Sequence, residues 1–95
     1  MGKCYIAGKV SGMPYEKALR NFQSAEDKLK RLGFHPINPT RLCRSHWGWH
    51  RCMIVCLWNL LWCGNITMLY NWRDSRGARI EYKVAKLLNK RFVKL

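Results

Sequence analysis

Short apolar runs alternate along this chain with longer stretches whose apolar residues recur every three or four positions, the pattern of strands joined by helices. Lys3 to Ala7 is predicted as the first strand. The run Gly8-Lys9-Val10-Ser11-Gly12 is a loop, and Met13-Pro14 opens a helix in which Ala18, Leu19, Phe22, Ala25, Leu29 and Leu32 share one side until Gly33 stops it. His35 to Asn38 is a second, short strand ending at Pro39, followed by a basic loop from Thr40 to about Ser45. A tryptophan-rich helix, roughly Trp47 to Cys63, should face the core with Ile54, Leu57, Trp58, Leu61 and Trp62. Gly64-Asn65 is a turn signal, Ile66 to Tyr70 the third strand, and Arg91 to Leu95 a closing fourth strand.

Strands separated by helical patterns need crossover connections, so the expected fold class is α/β: a three-layer sandwich with a short, about four-stranded parallel sheet, flavodoxin/Rossmann-like. Ninety-five residues support one small core, read as a single domain over residues 1–95 with no repeat or linker. In such a sheet ligands collect at the carboxyl ends of the strands. Those ends are the Gly8 loop, the Asn38-Pro39 loop and the Asn71 to Ser75 loop, two of which should converge on one crevice.

Charge changes the picture next. Eighteen Lys and Arg against five acidic residues give a formal net charge of +13, which points to an anionic partner. The cations lie along the whole chain, at Lys28, Lys30 and Arg31, at Arg41, Arg44 and Arg51, and at Arg73, Arg76 and Arg79. Solvated surface accounts for any one cluster as well as binding does. Five cysteines, an odd number, with no signal-like start suggest a reduced, cytoplasmic setting. The apolar stretch from Cys52 to Tyr70 is broken by Asn59, Gly64 and Asn65 and reads as a buried helix and a strand, not a membrane span. Cys43, His46, His50, Cys52 and Cys56 have the residue types of metal ligands, but their spacing matches no closed zinc pattern, so no metal or other cofactor is expected.

The segment Trp72-Arg73-Asp74-Ser75-Arg76-Gly77-Ala78-Arg79-Ile80-Glu81 carries the sharpest signal. Ser75 can cap a helix, Gly77 and Ala78 leave space along its first turn, and Glu81 follows Gly77 by four residues on the same face. The positions where a helical glutamate finds a cation are held by Gly77, Ala78, Val84 and Ala85, so no local surface ion pair is available. Ile80, Val84, Leu87 and Leu88 are predicted as the core stripe, with a partly buried Glu81 at its edge, and Asn89-Lys90 ends the helix. The glycines of the first loop allow close approach of a ligand, and the start of the last helix offers free amides to a phosphate.

These residues resemble the nucleoside 2-deoxyribosyltransferase-like superfamily, in particular its small phage and bacterial branch of uncharacterised domains. The resemblance runs nearly end to end, through Tyr5-Ile6-Ala7-Gly8, Asn38-Pro39, Trp47 or Trp49 with Met53, and most specifically Trp72-x-x-Ser75-x-Gly77-Ala78-x-x-Glu81. It implies a nucleoside 2-deoxyribosyltransferase-like fold in which Glu81 is the nucleophile toward an anomeric carbon and Tyr5 lies against it. Ser75 stands where related deoxynucleoside monophosphate hydrolases contact a phosphate, which favours a nucleotide over a nucleoside. Gly8, Lys9, Gly12, Asn71, Trp72, Asp74, Ser75, Arg76 and Gly77 are the matching substrate-binding candidates, with Lys9 or Arg76 toward a phosphate and Trp47, Trp49 or Trp72 toward a base. A homodimer is also implied, since sites in that superfamily are often completed by a neighbouring subunit. Where the superfamily usually has an aspartate at the start of the third strand, this chain has Cys63-Gly64-Asn65, which leaves Asp74 as the nearby candidate acid.

Three functions are therefore expected in order. The first is a nucleotide or deoxynucleotide N-glycosidase or deoxyribosyltransferase-like enzyme using Glu81. The second is a protein that binds a nucleotide or other phosphorylated small molecule without turnover. The third is a basic nucleic-acid-associated protein, whose binding would fall steeply with salt.

Overall fold

Cys4, Tyr5, Ile6 and Ala7 have no exposed surface, and this run makes β1 (Lys3–Ala7) the centre of the protein. A strand covered on both faces has no polar face to alternate with, which is why the run is apolar throughout. The computed structural model describes residues 2–43 and 46–95; Arg44 and Ser45, at the end of the basic loop, lie outside the described residues. After β1 come α1 (Tyr15–Arg31), β2 (His35–Ile37), α2 (Trp49–Leu61), β3 (Asn65–Met68), α3 (Arg76–Leu87) and β4 (Arg91–Phe92). Single 3₁₀ turns at Pro39–Arg41 and Trp72–Asp74 follow β2 and precede α3.

The four strands form one parallel sheet in the order β2-β1-β3-β4. Tyr5 pairs with Ile37 on one side and Ile66 on the other, and Pro36, which cannot donate a ladder hydrogen bond, sits on the edge strand β2. Alternation along β1 separates two cores. Cys4 and Ile6 pack with Phe22, Ala25 and Leu29 of α1, whereas Tyr5 and Ala7 face Cys56 and Leu60 of α2 and Ala78 and Ala85 of α3. The α/β sandwich expected from the pattern is thus present, with α1 on one face and the other two helices opposite.

Two helices end in the same way. Gly33, at φ +91°, follows α1, with Phe34 N–H donating to Leu29 O and Gly33 N–H to Lys30 O; Asn89, at φ 54°, closes α3 through matching bonds to Lys86 and Ala85. Each is a left-handed residue that lets the chain turn back and satisfy the last carbonyls.

Two predicted helix faces are corrected. On α2, Cys56 and Leu60 are buried, while Ile54, Trp58, Leu61 and Trp62 point outward, Trp62 with 68% of its surface exposed. On α3 the buried stripe is Ala78, Glu81 and Ala85, and Leu87 and Leu88 are exposed. Small residues win the inner position on α3 because the helix lies close against Tyr5 and α2. The expectation of five reduced thiols is corrected as well: Cys43 and Cys52 are disulfide-bonded, and Cys4, Cys56 and Cys63 are free. No described helix is long and apolar enough to cross a membrane.

An interaction absent from the sequence reading anchors the loop after β2. Glu26, buried on α1, accepts from Arg41 Nε at 2.9 Å and Nη2 at 3.0 Å, and from Asn38 Nδ2 at 3.3 Å. Asn38 Oδ1 in turn accepts from Thr40 N–H at 3.0 Å. The guanidinium first, then the amide, hold the Glu26 carboxyl below its ordinary range despite burial.

The close packing of the first loop gives a test. A Cβ on Gly8 would lie 2.8 Å from both Cβ and Cγ of Leu69. Gly8→Ala is expected to lower unfolding free energy by about 1–3 kcal/mol in urea titrations, and adding Leu69→Ala should recover part of that loss relative to Leu69→Ala alone. Equal losses in both backgrounds would mean that Leu69 is not the obstacle.

Candidate functional site

The loops after β1 and β3 leave the sheet side by side. Leu69 N–H donates to Ala7 O at 2.8 Å, and Lys9 N–H donates to Asn71 Oδ1 at 3.1 Å. The chain crosses to opposite sides of β1 after these two strands, so the space between their ends is the switch point of the sheet. A cavity of about 450 Å³ opens there, in the range of small-molecule sites. All three strand-end loops reach it, one more than expected, through Gly8 and Ser11, Pro39 and Thr40, and Ser75.

The start of α3 forms one wall. Ser75 caps the helix as expected, its Oγ accepting from Ala78 N–H at 3.2 Å. A Cβ on Gly77 would lie 2.9 Å from Met53 Sδ, so the glycine lets α2 approach and brings Met53 and Trp49 to the cavity. One turn further, Glu81 is 5% exposed and lines the cavity floor. Tyr5, directed to the same side by the alternation of β1, donates its phenol O–H to Glu81 Oε2. Burial pushes the Glu81 carboxyl up to about 7, and the Tyr5 hydrogen bond pulls against that rise. Burial also raises the Tyr5 phenol well above its ordinary value and the Cys56 thiol, which meets the Tyr5 hydroxyl, to about 11.

Of the residues singled out from sequence, Gly8, Ser75, Gly77 and Glu81 line the cavity and Tyr5 lies beneath Glu81. Lys9, Gly12 and Asn71 form a clasp beside it: Asn71 holds the Lys9 amide, and the Lys9 side chain passes over Gly12, which is at φ +83°. Trp72 does not line the cavity; it stacks on Tyr82 with ring centroids 4.5 Å apart. Asp74 is exposed outside it, leaving Glu81 as the one acidic group among the described lining residues. Arg76 lies over the ring of Trp49 at 4.7 Å and Arg51 over that of Trp47 at 4.6 Å, so two cations ride on the two tryptophans that line the cavity.

Tyr15 and Thr40 line the cavity without having been singled out, and so do Cys43, Cys52 and Cys56, which the sequence showed only as metal-ligand residue types in no closed zinc pattern. Only the cysteines carried a sequence signal, the four-residue spacing of Cys52 and Cys56 on one helical face.

The raised Glu81 carboxyl makes a signed prediction about stability. Below pH 4.5 the acid is protonated in folded and unfolded chains alike; between 4.5 and about 7 only the unfolded chain gives up its proton, so stability falls as pH rises through that window and levels off above it. The displacement from 4.5 to about 7 corresponds to a loss of about 3 kcal/mol. Urea unfolding of the oxidised chain at a series of pH values should show this decline, and Glu81→Gln should remove most of it. A variant that keeps the full decline would assign it to another group.

A family model described as a domain of unknown function, DUF4406, matches residues 2–94, and the chain belongs to that family. No curated protein and no solved structure matches it.

Proposed function

We propose that this DUF4406 domain is a nucleotide or deoxynucleotide N-glycosidase, or a deoxyribosyltransferase-like enzyme, with Glu81 as nucleophile. The observation that carries the reading is a buried carboxylate, held by the Tyr5 phenol, on the floor of an otherwise largely apolar and aromatic cavity at the sheet's switch point. A carboxylate is buried without a cation only at a cost of several kcal/mol, and Glu81 has no salt bridge among the described residues. Together with the resemblance of the Trp72 to Glu81 segment to the transferase superfamily, that cost favours a chemical role.

In this reading Tyr5 fixes Oε2 and leaves Oε1 toward the cavity. Oε1 attacks the anomeric carbon as the bond to the base breaks, and the departing base takes the bonding electrons and a proton from water. The glycosyl ester on Glu81 then yields to water or to a second base, which restores the carboxylate. Trp47 and Trp49 supply faces for a base, and Ser75 with the first turn of α3 faces the phosphate end. A second copy of the chain completes the reading, and the outward stripe of Ile54, Trp58, Leu61 and Trp62 on α2 is the apolar surface such a copy would cover.

One observation favours a second reading. Asp74 lies outside the cavity, so among the described residues no second carboxylate lines it to protonate a leaving base, and binding of a nucleotide without turnover fits that arrangement.

Mass spectrometry of wild type and Glu81→Ala incubated with nucleosides and their 5′-monophosphates separates the two. Base release that drops by about a thousandfold or more in the variant is the expected result for the enzyme. Ligand retained without release moves the site to the binding reading, and neither signal overturns both.

A further inference from the structure

Another set of side chains meets at the cavity wall and is assigned no step in that chemistry. Cys52 and Cys56 stand one turn apart on α2, and Cys43 reaches them from the loop before it, so the three sulfurs lie within 4.8 Å of one another. Cys56 Sγ is 3.7 Å from Cys43 Sγ and 3.9 Å from Cys52 Sγ. Thiolates bound at about 2.3 Å to one tetrahedral zinc ion stand about 3.8 Å apart, so two of the three edges already have the spacing a shared cation requires. The third edge is closed by the Cys43–Cys52 disulfide. Reduction of that bond forces its sulfurs apart to van der Waals contact, close to the same spacing. All three cysteines line the cavity. Cys4 and Cys63 are buried elsewhere and do not belong to the cluster.

We propose that Cys43, Cys52 and Cys56, once reduced, are a three-thiolate site for a thiophilic divalent cation of the zinc type, with its fourth position open to the cavity. A dithiol reductant supplies two electrons and two protons to the Cys43–Cys52 disulfide and itself closes to a disulfide. The cation then displaces one proton from each of the three thiols, and water or a donor atom of a cavity ligand takes the fourth position. Thiolate sulfur selects zinc over magnesium or calcium, which prefer oxygen. The disulfide is the oxidised state of this site and cannot hold the cation, because two of its three donors are spent in the bond. Cys56 also touches the Tyr5 hydroxyl, but the proposed function needs no cation at this site, so failure of the site would leave that function standing.

Cobalt(II) titration of the full chain, reduced under anaerobic conditions and followed by absorption, tests this. Equimolar binding with a thiolate-to-cobalt charge-transfer band and strong tetrahedral visible bands is expected, with zinc displacing the cobalt. Cys43→Ser and Cys56→Ser should each weaken binding by about a hundredfold or more, and Cys63→Ser should not. The oxidised chain should give no such bands. If the variants do not fold, alkylation of the reduced wild type, mapped by peptide mass, decides: zinc should protect Cys43, Cys52 and Cys56 together. A folded, reduced chain with no charge-transfer band, equal binding by the oxidised chain, or zinc that leaves any of the three unprotected would overturn the proposal.

Discussion

Everything on the α2–α3 side of the sheet is arranged around one buried hydrogen bond, from the Tyr5 phenol to the Glu81 carboxylate. A carboxylate taken out of water is tolerated only if it is neutralised or well bonded. Here one phenol does part of that work, and the raised carboxyl pKa shows that it does not do all of it. Tyr5 can serve because β1 is the central strand and holds the ring rigidly between β2 and β3. Glu81 can reach it because Ala78 and Ala85, one turn to either side, allow α3 to lie close to the sheet. Larger residues at those two positions would lift the helix and break the contact.

The cavity above this pair results from the same strand order. Chains leaving β1 and β3 in opposite directions cannot fill the space between them, and the loops must be held open without collapsing into it. The Gly8 backbone resting on Leu69 and the Asn71 side chain on the Lys9 amide fix the first and third loops to each other. The second loop is fixed from the far side of the sheet, where the Glu26 carboxylate of α1 grips Arg41 and Asn38. Such a paired and hydrogen-bonded acid is a structural acid, whereas Glu81 has no salt bridge among the described residues and faces a cavity. The contrast between these two buried glutamates is what separates scaffold from candidate site in this chain.

The strands, the helix ends and the Ser75 cap were legible in the sequence because each depends on local chemistry: a buried run, a left-handed Gly33 or Asn89, a hydroxyl before a helix. Helix orientation was not. On α2 the apolar residues surround the axis, so periodicity cannot tell the Cys56–Leu60 side from the Trp58–Trp62 side, and size points to the wrong one. On α3 the bulky stripe of Leu87 and Leu88 misleads for a related reason, since close packing on Tyr5 selects alanine for the inside. Glu81 was legible as an unpaired acid among small residues, but its full burial was not, because the covering group comes from residue 5. The Glu26–Arg41 pair joins residues 15 positions apart, across a turn that local patterns do not describe; Cys43, Cys52 and Cys56 were legible as ligand-type residues, but their meeting across up to 13 positions was not.

The distribution of charge completes the logic of the site. Among the described residues no Lys or Arg forms an ion pair with Glu81, and Arg51 and Arg76 lie over Trp47 and Trp49 at the cavity. A guanidinium inside the cavity would pair with the carboxylate, hold it ionised at all ordinary pH values and block its free oxygen. On the tryptophans the same guanidinium would, in the proposed reading, draw anions toward the opening. In the proposed reading an anionic ligand is attracted over a long, salt-screened range and meets the carboxylate only after it has entered the apolar space. In that reading, exchanging either arginine for a neutral residue acts on the first of these steps and exchanging Tyr5 on the second, the separation of roles that bringing a negative ligand to a negative group requires.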